Sequence, residues 1–230
     1  MQQRIFNDRE LLRLHVEAVW GIALPTIDDV NIELANTGAQ PDWLLYVGKM
    51  ATETIFIWHP NVAADQRQHI IDWSPNNQSN GADYTATYER AFAQSHAPAM
   101  DVATAHTMAR ALTEDDYPLV EAYEKGYGEY FFQPERAPLF GVVKDQRLLA
   151  IAHSSRRINQ ACELGIETHP QARRQGFGLA ATILWADGVG REGLLPLYSA
   201  LADNDASLRL AHAAGYRPFV LGATIRPVAK

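Results

Sequence analysis

The sequence predicts an α+β or mixed α/β fold, a central mixed sheet flanked by helices, preceded by a small α+β domain. Three observations predict it. Two apolar strand-like runs, Leu139 to Val143 and Leu148 to Ser154, enclose the turn-like Lys144-Asp145-Gln146-Arg147 and read as a hairpin. After them come a strand, a glycine-rich turn, an apolar helical run, a strand, a helix and a strand, so antiparallel pairs lead into a βαβ unit. Lastly, the composition breaks at Ser74–Gly81 and again in the small-residue run Gln94 to Thr104, while no internal repeat is present. The boundary is therefore expected there, between residues 1–97, a small α+β region of unassigned role, and residues 105–230.

In the first region Asn7-Asp8-Arg9-Glu10 has the form of a capping box, followed by Leu11, Leu12, His15, Val16, Val19 and Trp20 at helical spacing and by Gly21 as a stop. Val30, Ile32 and Leu34 alternate with polar residues and predict a strand; Trp43 to Gly48 and Thr52 to Trp58 predict two more. Val62 to Trp73 has a helical pattern, and Tyr84 to Ala93 reads as a short helix. The tryptophans Trp20, Trp43, Trp58 and Trp73 are expected in the core.

The second region opens with an extended Thr107 to Ala111 and a helix capped by Thr113 that runs to about Lys125. Tyr123 to Pro138 is loop-like, its Tyr127, Tyr130, Phe131 and Phe132 forming either an aromatic wall or a buried second helix. Beyond the hairpin, Cys162 to Thr168 is a strand ended by His169-Pro170. A helix from Gly178 to about Val189, a strand from Leu195 to Ala202, a helix from Asn204 or Asp205 to Ala214 and a strand from Tyr216 to about Ile225 complete the order.

Composition narrows the function. A formal charge of -7, with acids outnumbering bases about two to one in the first hundred residues, speaks against a nucleic-acid partner. It suits a cationic amine substrate, or serves solubility alone. The one cysteine, Cys162, excludes an internal disulfide and a multi-cysteine zinc site. The histidines are scattered, so no metal is expected, and no apolar run approaches a membrane span, so a cytoplasmic protein without a membrane partner is expected. Asn77-Gln78-Ser79 matches a glycosylation acceptor that means nothing without secretion. Nucleophile-elbow, P-loop and His-Glu-x-x-His patterns are absent.

The stretch Arg173-Arg174-Gln175-Gly176-Phe177-Gly178 lies between a strand and a helix. A helix start presents unpaired N–H groups and partial positive charge, glycines let an anion approach the backbone, and the arginines add full charges. This is a place to hold a pyrophosphate, although an ordinary surface turn has the same ingredients.

Taken with the element order, three pieces resemble the GNAT superfamily of acyl-CoA-dependent N-acetyltransferases over about residues 105 to 226. The family's [Arg/Gln]-x-x-Gly-x-[Gly/Ala] motif matches Arg173, Gly176 and Gly178; His169-Pro170 precedes it; and Asn-x-x-[Ala/Ser]-x-x-Leu-x-x-x-x-Gly-[Phe/Tyr] matches Asn204, Ser207, Leu210, Gly215 and Tyr216. The resemblance implies a GNAT-like sheet and acetyl transfer from acetyl-CoA, as co-substrate, to a primary amine of a small molecule or protein by direct attack in a ternary complex. It implies that the backbone of Ile166 to Thr168 pairs with the pantetheine arm, that Arg173, Arg174, Gln175, Gly176, Phe177 and Gly178 cradle the pyrophosphate, and that Asn204 and Ser207 contact the cofactor. Asn204 is equally explained as a helix cap.

One departure leaves the general acid open, and the base has two candidates. Many relatives have a tyrosine as general acid where this chain has Ala211, so Tyr198 or Tyr216 stands in, or water suffices. For the base, Glu163 on the strand leading to the turn is the candidate and Glu167 the second; a solvated or salt-bridged carboxylate is the plain alternative. Ser154, Ser155 and Arg156 either line the acceptor pocket or are edge polarity. A catalytically silent acyl-CoA-binding module is the alternative function, and the first region is open to acceptor recognition, homodimer formation or packing.

Overall fold

The structure, a computed structural model, describes residues 6–73 and 83–228; the Ser74–Gly81 loop reading and Asn77-Gln78-Ser79 lie outside the described residues. In chain order the elements are α1 (Asp8–Trp20), β1 (Asn31–Glu33), β2 (Leu45–Lys49), β3 (Thr54–Trp58), α2 (Ala64–Asp72), β4 (Tyr84–Gln94), α3 (Val102–Met108), β5 (Arg110–Ala111), α4 (Tyr117–Tyr123), α5 (Gly128–Phe131), β6 (Phe140–Lys144), β7 (Arg147–Arg157), β8 (Ala161–Thr168), α6 (Phe177–Arg191), β9 (Leu195–Leu201), α7 (Asp205–Ala213) and β10 (Tyr216–Pro227). The chain forms two compact units. The first takes in the described residues up to Ala91 with Ala200–Asn204 and the chain from Pro218; the second is Phe92–Ser199 with Asp205–Arg217.

In the first unit, Asn7 accepts the Glu10 N–H at 3.0 Å while the Glu10 carboxylate accepts the Asn7 N–H at 2.9 Å, and Gly21 stops α1 at φ 62°. That reciprocal pairing satisfies donors the helix start leaves over. β2 and β3 form an antiparallel hairpin, β1 joins β3 in parallel, and Leu221–Ile225 of β10 joins β2. His15 of α1 reaches Glu89 of β4 through Nε2 at 2.9 Å, and the Tyr46 hydroxyl donates to the same carboxylate at 3.1 Å. Burial pushes the Glu89 carboxyl up, but the His15 charge and hydrogen bonds from His15 and Tyr46 outweigh it and hold the group below the usual carboxylate range. Trp43 and Trp58 are core residues, and Trp20 meets Trp43 edge-on at 5.9 Å.

The second unit holds β9-β8-β7-β6-β5, mixed because β8 and β9 run parallel and the other pairs antiparallel. Adjacent residues of β7 serve opposite faces. Ala150 packs with Val142 beneath Ala180, Ile183 and Leu184 of α6, and Ile151 packs with Leu148 beneath Val120 of α4 and Phe131 of α5. Burying each such large aliphatic side chain stabilises the fold by roughly 1.5 to 3 kcal/mol.

Three expectations are corrected. Tyr84–Gln94 is a strand: its Thr85, Thr87 and aromatic Tyr84 and Tyr88 favour a pleated surface over the helix that Ala86, Glu89 and Ala91 allow. Thr107 to Ala111 is not extended throughout, because Asp101 caps α3 by accepting the Thr104 N–H at 2.7 Å and carries helix through Met108. The helix expected from Thr113 to Lys125 is a 3-10 turn, Glu114–Asp116, and then α4, since Pro118 lacks the donor that a continuous helix needs.

The glycine of the Gly215-Tyr216 pair is dictated by space. Gly215 has φ 85°, and a Cβ there would lie 2.3 Å from the His96 carbonyl oxygen. Its own carbonyl accepts the N–H groups of Ser95 and His96, both at 3.0 Å. Gly215→Ala is therefore expected to destabilise the protein by about 2 kcal/mol or more, read as a lowered midpoint in urea unfolding with unchanged slope.

Candidate active site

The site begins where two strands part. β8 and β9 are in register at Ala161–Leu195, Cys162–Pro196 and Glu163–Leu197, and no further. Along its other edge β8 stays paired with β7 to Ala150–Thr168. The Gln160 carbonyl accepts the Leu195 N–H, and main-chain direction alternates along a strand, so the N–H and C=O groups of Ile166 and Thr168 turn toward the β9 side. Among the described residues no strand pairs with them there. An extended ligand arm with amide groups fits such an edge.

Past Thr168 the chain enters the glycine turn. Gly176 has φ 81°, and Arg174 is left-handed at φ 62°, an uncommon conformation for a residue with a side chain. The first helical bond of α6 runs from the Ala180 N–H to the Gly176 carbonyl at 2.9 Å, which leaves Phe177, Gly178 and Leu179 without helical acceptors; no side chain caps this end. Arg173, Arg174 and Gln175 are exposed, and neither arginine makes an ion pair among the described residues. A Cβ on Gly178 would sit 2.8 Å from Thr168 Oγ1 and 3.8 Å from Leu210 of α7. The strand end, the turn and α7 thus meet at Gly178.

Ser207 lies on α7 in the same unit, beside Tyr198; Asn204 immediately precedes α7, belongs to the first unit and donates its N–H to Leu201 at 3.0 Å. The side chains of Glu163 and Tyr198 point to opposite sheet faces, because Leu197, one residue before Tyr198, is registered with Glu163. Glu163 is 3% exposed. Burial pushes the Tyr198 hydroxyl up to about 12, with the Ser207 hydroxyl lowering it and the Glu163 charge raising it. Tyr216, fully enclosed, is raised further, by burial first and then by Glu163 and Tyr198. Glu167 is raised by desolvation and by the Glu124 carboxyl, which shares a hydrogen bond with it. Ala211 is fully buried.

One neighbour of this centre escaped the sequence reading. His153 of β7 pairs with Gly165 of β8, and a Cβ on Gly165 would lie 2.2 Å from the imidazole Cε1. The ring sits between Tyr130 and Phe131 of α5, with centroids at 5.8 and 5.0 Å, and its buried Nδ1 has no hydrogen-bond partner among the described residues. Desolvation, then the charges of Arg136 and Arg156, lower it to about 4. The available signal was a histidine inside an apolar strand.

Among the described residues no group of three metal-ligating side chains converges, and no helix is long and apolar enough to cross a membrane.

The family model of the GNAT acetyltransferases matches residues 97–219, more than half the chain. The chain belongs to the GNAT acetyltransferase family. This GNAT protein is 14% identical to a GCN5-related N-acetyltransferase-like protein from Streptococcus suis 89/1591, covering 77% of this chain and 72% of that one with a TM-score of 0.51, and the two share the fold. A GNAT-family protein from Novosphingobium aromaticivorans DSM 12444 is 22% identical, covers 64% of this chain and 69% of its own, and has a TM-score of 0.49. A GNAT-family acetyltransferase from Colwellia psychrerythraea is 15% identical over 63% of this chain, which spans 57% of that protein, with a TM-score of 0.49. No curated protein sequence matches significantly. Family membership supports acyl transfer, and the mixed sheet with flanking helices is the family's fold.

His153 has a checkable consequence. A histidine bound neutral in the fold and free to protonate when unfolded makes stability complete above its ordinary value of 6.5 and lost as pH falls toward its folded value of about 4. The loss is on the order of 3 kcal/mol across that window. Urea titrations at stepped pH are expected to show it in the wild type and to show a flatter profile in His153→Phe.

Proposed function

We propose that this protein transfers an acetyl group from acetyl-CoA to a primary amine. The observation that supports it most directly is the free main-chain edge of β8 running from Glu163 into a turn where the uncapped start of α6 leaves the N–H groups of Phe177, Gly178 and Leu179 without helical acceptors. These residues fit the cofactor: the β8 edge offers main-chain N–H and C=O groups to an amide-bearing arm, and the start of α6 offers N–H groups without helical acceptors beside two exposed arginines. When bound, acetyl-CoA supplies an acyl group activated as a thioester, and attack by the amine releases the free thiol.

The chain's own residues do the rest. Main-chain groups of Ile166 and Thr168 align the pantetheine arm as an added strand, and N–H groups of β8 at the parting face developing negative charge on the thioester oxygen. Gly176, Phe177, Gly178 and Gln175 receive the pyrophosphate on backbone N–H groups, with Arg173 and Arg174 as countercharges and with Ser207 as a further cofactor contact. Glu163 takes a proton from the acceptor ammonium, directly or through water, because an amine with a pKa near 10.4 is almost wholly charged at neutral pH. Glu167, held above the usual carboxylate range beside Glu124, is the second base. Tyr198, on the sheet face opposite Glu163 and pushed up to about 12 by burial, is a poor donor to the thiolate, which leaves into water.

Ala211 favours a second reading, a silent acyl-CoA-binding module, since no hydroxyl stands at the position where relatives have tyrosine. Turnover separates the two.

Calorimetric titration with acetyl-CoA is expected to give binding that Gly176→Glu abolishes, and that Arg173→Gln and Arg174→Gln each weaken about tenfold or more, for loss of a charged hydrogen bond. No binding by the wild type overturns the cofactor reading. Glu163→Gln is expected to lower kcat about a hundredfold at unchanged acetyl-CoA affinity, measured by thiol release over an amine panel; an unchanged kcat removes Glu163 from the chemistry.

A further inference from the structure

On the α5 side of the sheet two cations meet on one carbonyl oxygen. Arg136 comes from the 3-10 turn Pro134–Arg136 and Arg156 from the end of β7, yet both guanidinium groups donate to one acceptor, the Ser155 carbonyl oxygen, Arg156 at 2.8 Å. Ser155 is the extra residue where the β7–β8 register shifts between Ser154–Leu164 and Arg156–Glu163. That bulge stands opposite the point at which β8 leaves β9. Arg136 also lies over the Tyr130 ring at 4.1 Å, and its buried Nε has no hydrogen-bond partner among the described residues. Its unused donor is part of a planar fork that matches an oxyanion.

Neither arginine has a carboxylate at ion-pair distance among the described residues, although the chain has 27 acids to 20 bases and the next residue, Arg157, pairs with Glu192. Both charges are felt at His153, whose lowered pKa they help to cause. Like charges gathered at a strand bulge, beside an aromatic ring and a buried polar side chain, make a site for an anion.

We propose that Arg136 and Arg156 anchor an oxyanion of the acceptor, so that the amine acetylated here also carries a carboxylate or a phosphate. This rests on the transferase reading above. The anion docks at the bulge on the α5 face, where Arg156 is registered with Glu163, and the amine end lies beside that carboxylate at the parting of β8 from β9.

The test compares β-alanine, O-phosphoethanolamine and ethanolamine as acceptors in a thiol-release assay with wild type, Arg136→Gln and Arg156→Gln. A tenfold or greater preference in kcat/KM for either anionic amine, lost in both variants through KM while acetyl-CoA affinity stays the same, supports the proposal and names the anion. Equal use of the three amines, or variants that slow all three alike or weaken acetyl-CoA binding, overturns it. A second arm needs no turnover: N-acetyl-β-alanine, N-acetyl-O-phosphoethanolamine and N-acetylethanolamine are titrated calorimetrically into the protein with CoA present. Binding of an anionic product alone, lost in Arg156→Gln, supports the anion site even if no thiol is released, a result that would sink only the transferase reading. Absent or indiscriminate product binding overturns the site. Arg156 is exposed, so its variant remains informative should Arg136→Gln fail to fold.

Discussion

The parting of β8 from β9 after Glu163–Leu197 is the constraint on which the second unit depends. A strand that leaves its neighbour exposes polar main-chain groups, and such groups are costly unless water or a ligand meets them. The edge persists because β7 holds β8 through to Thr168 on the other side, while Thr168 Oγ1 fits the space left by the missing Gly178 side chain. The strand end and the start of α6 are thereby fixed to each other. One geometric event places the free strand edge and the glycine turn next to each other.

The same strand divides labour between its faces. Cys162, Leu164, Ile166 and Thr168 alternate toward α6, and Glu163, Gly165 and Glu167 toward α4 and α5. The first set is apolar or hydroxylic and borders the glycine turn. The second is where titratable groups gather: His153 against Gly165, Glu167 with Glu124, and Arg136 with Arg156 at the bulge. Glycine at position 165 is what lets an imidazole lie flat on the strand. A side chain there would drive His153 out from between Tyr130 and Phe131, so local sequence and site architecture are coupled through a single missing methyl group.

What was legible in the sequence was local. The capping box at Asn7, the hairpin at Lys144–Arg147, the Arg173–Gly178 turn and the Gly215-Tyr216 pair each act within a few residues, through dihedral angles or short hydrogen bonds, and each is present. What was not legible required register. The meeting of Arg136 and Arg156 on one carbonyl depends on a one-residue shift in β7, and His153 acquires its neighbours only when β7, β8 and α5 are assembled. The helix expected over Tyr84 to Ala93 failed for the related reason that Ala, Glu and Arg favour helix in isolation, while a paired strand overrides propensity.

The absent tyrosine at Ala211 is best judged by proton affinity. A thiol leaves with a pKa near 8.5, whereas the Tyr198 hydroxyl is pushed up to about 12 by burial. Passing its proton to the thiolate would be uphill by roughly 5 kcal/mol at 1.36 kcal/mol per unit. Tyr216, enclosed and raised further, is a worse donor. Both phenols meet edge-on, at 5.8 Å between ring centroids, and Tyr198 meets Phe92 at 6.1 Å, contacts that hold β9 to its neighbours in the second unit. Their chemistry is therefore that of packing. A thiol with a pKa near 8.5 leaves as a thiolate into water more readily than it takes a proton from either tyrosine.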